Sequence, residues 1–126
     1  KEHLVHLSAL ALEQLPEQKG KFLFPATGRK GLQRGSGSIN VRSVSQAVRR
    51  MVRRLDMEPW TPHDLRRTAR TFWSELELAD FVLGEKMVGH QLPRILRTYD
   101  RSEQWSERVK ALDAWGRKVA EMVGPR

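Results

Sequence analysis

The sequence predicts a mainly helical domain with a small β element at its N-terminal edge. Two patterns carry that expectation. Apolar residues recur at intervals of three and four through residues 41–55, 62–76, 79–88 and 105–123, the period of a helix with one buried side. Glu2-His3-Leu4-Val5-His6-Leu7 instead alternates polar and apolar, the period of a strand. With 126 residues the chain is long enough for one core and too short for two ordinary ones, so it reads as a single domain.

After the predicted strand, Ser8 can cap a short helix through Leu15, which Pro16 ends. Phe22-Leu23-Phe24-Pro25 is a second strand or a buried extended segment. Residues 27–40 read as a basic loop, because Gly28, Gly31, Gly35 and Gly37 alternate there with Ser36, Ser38, Lys30 and Arg34. In residues 41–55, Val41, Val44, Val48, Met51, Val52 and Leu55 form one stripe, with Arg42, Arg49, Arg50 and Arg53 opposite.

Thr61-Pro62-His63-Asp64 has the chemistry of a helix start. Thr61 suits the N-cap, Pro62 the first turn, and Asp64 can complete a capping box. Leu65, Ala69, Phe72 and Leu76 supply the apolar stripe, which leaves His63, Arg66 and Arg70 together on another side. The helix start also gathers backbone N–H groups that favour an anion. Residues 79–88 form a shorter helix with Phe81, Val82 and Met87 inward and Gly89 as its stop. In the last helix, capped by Ser102, the stripe is Trp105, Val109, Leu112, Gly116, Val119 and Val123, widened by Trp115. That stripe can pack on its own domain or dock into a neighbouring protomer.

Charge narrows the class of partner. The formal net charge is +8, and 16 of the 23 basic residues are arginine, whose fork grips phosphate. Residues 42–70 hold eight arginines against three acids, so the excess is concentrated. Such charge favours nucleic acid or an anionic membrane surface as partner, and Arg42, Arg49, Arg50, Arg53, Arg67, Arg70, Lys30 and Arg34 are the candidate phosphate-contacting residues should the partner be DNA. The chain has no cysteine, hence no disulfide framework or thiolate metal site, and nothing opposes a reducing cytosol. No apolar run reaches the roughly 20 residues that span a bilayer, so no membrane partner is expected. A metal hydrolase built on His3, His6, His63 and His90 is a poor reading. No acid accompanies them at ligand spacing, and His3 and His6 of a strand would face opposite ways.

Two blocks now stand in order: His63-Asp64-Leu65-Arg66-Arg67-Thr68, then Val88-Gly89-His90 with Tyr99 nine residues after the histidine. Together they resemble the tyrosine recombinase (phage integrase) family, especially prophage-type integrases. The family's blocks read His-x-Leu-Arg-x-Thr and Leu-Gly-His, succeeded by a tyrosine at that spacing; Val88 stands here for the usual leucine. His3-Leu4-Val5-His6-Leu7-Ser8 also looks like the segment after the family's catalytic-lysine hairpin.

The resemblance implies the C-terminal part of a recombinase catalytic domain, with Tyr99, Arg66, His63 and His90 as its catalytic residues. It implies site-specific recombination of double-stranded DNA between phage and host attachment sites, by cleavage and religation through a 3′-phosphotyrosyl intermediate. No metal or other cofactor is implied. It further implies a homo-tetramer on DNA in the full-length protein and a bacterial cytoplasmic, nucleoid-associated setting. The family's first catalytic arginine and its hairpin lysine precede the matched blocks and are not among these residues, nor is the N-terminal DNA-clamping domain. Lys1 falls past the position of that lysine and is not assigned its role. The chain by itself is therefore expected to be inactive or crippled in recombination. The alternatives are a DNA-binding module without chemistry, or an interaction domain whose charge serves solubility.

Overall fold

The structure is a computed structural model that describes residues 3–26, 37–92, 94 and 104–124. Its helices are α1 (Ala9–Glu13), α2 (Val41–Arg54), α3 (Pro62–Glu75), α4 (Phe81–Met87) and α5 (Trp105–Val123). The chain divides into two compact units. One is Leu15–Leu65; the other joins Lys1–Gln14 to Arg66–Arg126, so the division falls within α3.

In the Leu15–Leu65 unit, the side chain of Asn40 accepts a hydrogen bond from the Arg42 amide at 2.8 Å and starts α2. Of the predicted stripe on α2 only Val52 is buried. Val48 is half-buried, while Val41, Val44, Met51 and Leu55 are exposed. The helical period is right, but a helix buries only as much of its stripe as its neighbours cover. The segment around Phe24 is not a strand. It makes one antiparallel bridge, Pro25 to Ser38, flanked by Ala26 N–H to Gly37 O at 2.7 Å and Ile39 N–H to Phe24 O at 2.9 Å. Phe24 is exposed, so this is not a buried segment either. Most of the predicted basic loop, residues 27–36, lies outside the described residues. At the start of α3, Asp64 Oδ2 accepts from both the amide and the hydroxyl of Thr61, at 2.9 and 2.8 Å. This is the predicted reach-back of a capping box.

The other unit holds the core. Trp73, Ala79, Leu83, Met87 and Ala111 are its buried residues, with Ala69, Leu78, Val88, Leu112 and Trp115 packed around them. Phe72 of α3 stacks on Trp115 of α5 with ring centroids 5.7 Å apart. Helices α1 and α4 both pack on α5. The inward faces match those predicted in part: Met87 and Gly116 are buried as expected, and Ala69, Leu112 and Trp115 pack against the core, while other positions differ. On α3 Trp73 is buried while Leu65 is exposed; on α4 Leu83 and Gly84 are buried while Phe81 is exposed. On α5 Arg108, Ala111 and Gly116 are buried, and Trp105 and Val123 at its ends are exposed.

Residues 3–7, predicted as a strand, carry no regular structure, and no strand forms among the described residues. A strand needs a ladder partner for its N–H and C=O groups, and among the described residues none runs alongside. Side chains tie the segment down instead. His6 Nε2 lies 2.8 Å from Asp113 Oδ1, and the Arg108 guanidinium donates to the Leu4 carbonyl. Ser8 then caps α1 as predicted, its hydroxyl accepting from the Ala11 amide.

Three helices end the same way. In α2, α3 and α4 the amide two residues past the cap bonds back to the carbonyl five residues earlier, across a left-handed residue: Asp56, Glu77 and Gly89 respectively. This is the Schellman arrangement, which satisfies carbonyls the helix leaves open.

Candidate active site

The turn closing α4 is where the two sequence blocks meet. Gly89 takes φ +73°, a backbone region that costs a side-chain-bearing residue about 1–2 kcal/mol. Its amide bonds Lys86 O at 3.1 Å, and the next amide, that of His90, bonds Glu85 O at 2.9 Å. A left-handed residue here reverses the chain and sets His90 back over the last turn of α4. His3 packs against the open side of Gly89, its ring about 3.1 Å from where a Cβ would stand.

Arg66, in the part of α3 belonging to the same unit, reaches this turn. Its Nη1 donates to the Val88 carbonyl at 2.5 Å, a contact between residues 22 apart in sequence. Arg66 and His90 are both exposed, so the guanidinium and the imidazole are accessible on either side of Gly89.

Glu85 joins His90 to Arg70. Its Oε2 lies 2.9 Å from His90 Nδ1, and its Oε1 accepts from Arg70 Nε at 3.0 Å. Burial alone would raise this carboxyl's pKa. The hydrogen bonds from His90 and Arg70, and their charges, outweigh it and hold the pKa below the usual 4.5. Arg70 also donates from Nη2 to the Phe81 carbonyl at 3.2 Å and lies over the Phe81 ring, 5.4 Å from its centroid. Glycine at residue 84 leaves room for its guanidinium where it lies: a Cβ there would stand 2.7 Å from its Cζ.

His63 is exposed in the first turn of α3, three residues before Arg66 along the helix. Arg42, Arg49, Arg50 and Arg53 are exposed on α2, and Arg67 is exposed on α3. Arg70, predicted as a DNA contact, is half-buried and engaged with Glu85 and Phe81. Tyr99, Lys30 and Arg34 lie outside the described residues. Glu85 was not legible as a site residue, although a glutamate five residues before a histidine that follows glycine is the spacing a Schellman turn brings together.

Comparison with protein-family models, curated proteins and solved structures finds no match. No helix among the described residues is long and apolar enough to cross a membrane.

Proposed function

We propose that this chain is the C-terminal part of a tyrosine recombinase catalytic domain, acting in site-specific DNA recombination such as prophage integration and excision. The fold that goes with this reading would add a small β element ahead of α1. The observation that carries it is the Arg66–Val88 hydrogen bond, which joins the arginine of the first block to the Val88-Gly89-His90 turn of the second. The blocks are separate in the chain, and a shared site requires them to be neighbours.

In the proposed reaction, the Tyr99 hydroxyl attacks the scissile phosphodiester. The new O–P bond forms as the bond to the 5′ oxygen breaks, leaving a 3′-phosphotyrosyl link and a 5′-hydroxyl that has gained a proton. A phenol of pKa about 10 is a modest nucleophile and needs help with its own proton. Arg66, always charged, would hold non-bridging oxygens as negative charge builds on phosphorus. His63 would assist proton transfer and His90 would donate a hydrogen bond to the same phosphate. Attack by another strand's 5′-hydroxyl reverses the step, so ligation replaces hydrolysis. Double-stranded DNA is the substrate, no cofactor is needed, and the full-length protein would assemble as a tetramer on it in the bacterial cytoplasm.

The test is covalent capture of a nicked suicide DNA substrate. A full-length protein containing these residues should form the adduct, and Tyr99→Phe should abolish it. Unaltered DNA processing by Tyr99→Phe would favour a DNA-binding module instead. The 126 residues by themselves should capture DNA poorly, since the upstream arginine and lysine implied by the resemblance are not among them. Losing one such contact to a transition-state charge costs about 3–4 kcal/mol. Efficient capture by the chain alone would overturn that expectation.

A further inference from the structure

We propose that Glu85 is a positioning residue that fixes the protonation pattern of His90, with Arg70 orienting the carboxylate. The inference deepens the recombinase reading by specifying how His90 can act there.

The geometry gives Glu85 two holds on His90. Its carbonyl accepts the His90 amide at 2.9 Å and its carboxylate meets Nδ1 at 2.9 Å, so the backbone and the ring are anchored to one residue. An ionised carboxylate only accepts hydrogen bonds, so Nδ1 must carry a proton. The neutral ring then presents a lone pair at Nε2, and Nε2 makes no hydrogen bond among the described residues. Donation from Nε2 to a phosphate oxygen therefore requires the protonated ring. Neutral His90 could only accept there.

Arg70 makes this arrangement sensitive to a single atom. Its Nε–H occupies Oε1, which commits Oε2 to His90. Arginine has no acceptor. In Glu85→Gln, the amide oxygen is therefore drawn to Arg70 and the NH2 group is turned toward His90 Nδ1. That nitrogen must then accept, and the ring proton moves to Nε2.

The tautomer can be read from ring nitrogen shifts by 15N NMR on the 126-residue chain, at about pH 8, where an ordinary histidine is neutral. Wild type should be protonated at Nδ1, and Glu85→Gln should be protonated at Nε2 with the rest of the amide spectrum retained. A wild-type ring protonated at Nε2 would overturn the proposal without recourse to any variant. So would a Glu85→Gln ring that stays protonated at Nδ1. In the full-length protein at the same pH, Glu85→Gln should raise kcat for strand cleavage several-fold, with KM for DNA little changed, because its neutral ring donates from Nε2 without first taking up a proton. An unchanged kcat would overturn the positioning role. His90→Ala separates the two ideas. If it leaves cleavage unaffected while the tautomer switches as described, the recombinase role of His90 fails and the structural claim about Glu85 stands. If it slows cleavage while Glu85→Gln leaves the tautomer unchanged, the reverse holds.

Discussion

Glu85 sits at the third position from the end of a seven-residue helix and serves three groups: the His90 amide, the His90 ring and Arg70. Because its folded pKa lies below the unfolded value, the group contributes stability above the unfolded pKa, and loses it as the pH falls through the folded one. Wild type should thus be more stable than Glu85→Gln near neutrality. That advantage should shrink as the pH falls from neutrality through 4.5 and below. Urea unfolding of both proteins across this window checks it, and a constant difference would show that the carboxylate charge is not what stabilises the turn. The sequence displays His90 and Arg66 openly, because each belongs to a block with its own spacing. A carboxylate's duty is hidden, since it depends on how a helix end folds back. Arg70 shows the same limit: helical periodicity places it beside Arg66, but its turn to Glu85, over the space that glycine leaves at 84, depends on where α4 lies.

At the scale of elements, helix starts and stops were legible and buried faces less so. Ser8, the Thr61–Asp64 pair and Gly89 all act as the sequence suggests, because capping is settled within four or five residues. Which side of a helix is inward is settled by distant partners, hence Trp73 and Ala111 in the core while Leu65 and Trp105 lie outside. The strand failed for the same reason, since alternation cannot create a ladder partner. Gly116 illustrates how close the packing of α1 on α5 is. A Cβ at this position would run into the Ser8 hydroxyl and stand 2.6 Å from the Ser8 Cβ, against a residue that is itself buried. Gly116→Ala gains about 1 kcal/mol in helix propensity. The overpacking costs about 1–3 kcal/mol and displaces the cap of α1. A lower melting temperature is expected, and an unchanged or higher one would mean that α1 yields without cost.

For the whole molecule, charge is the property most directly tied to the proposed substrate. Arg42, Arg49, Arg50 and Arg53 stand exposed along α2, so a duplex bound there should release counterions. The affinity for duplex DNA should fall linearly with salt on a log–log plot, with a slope of about −0.9 per phosphate contacted. Arg49→Gln with Arg53→Gln should flatten that slope by about two contacts' worth. No affinity at low salt would favour an interaction domain. A slope unmoved by the two substitutions would exclude this face of α2. Composition revealed the excess of arginine, and helical spacing revealed the face.

The anchoring of the N-terminal segment has a consequence for how the protein is made. Leu4 is held by Arg108 and His6 by Asp113, more than a hundred residues later, while Leu15–Leu65 closes on contacts of its own. During synthesis the segment ahead of α1 leaves the ribosome long before α5 exists. It must wait, unpaired, through the folding of everything between. Long-range closures of this kind are slow. Chains arrested before α5 should therefore show the segment at residues 3–14 open to protease, with protection gained only after α5 emerges; early protection would mean that α1 finds its place without the partner that holds it in the finished fold.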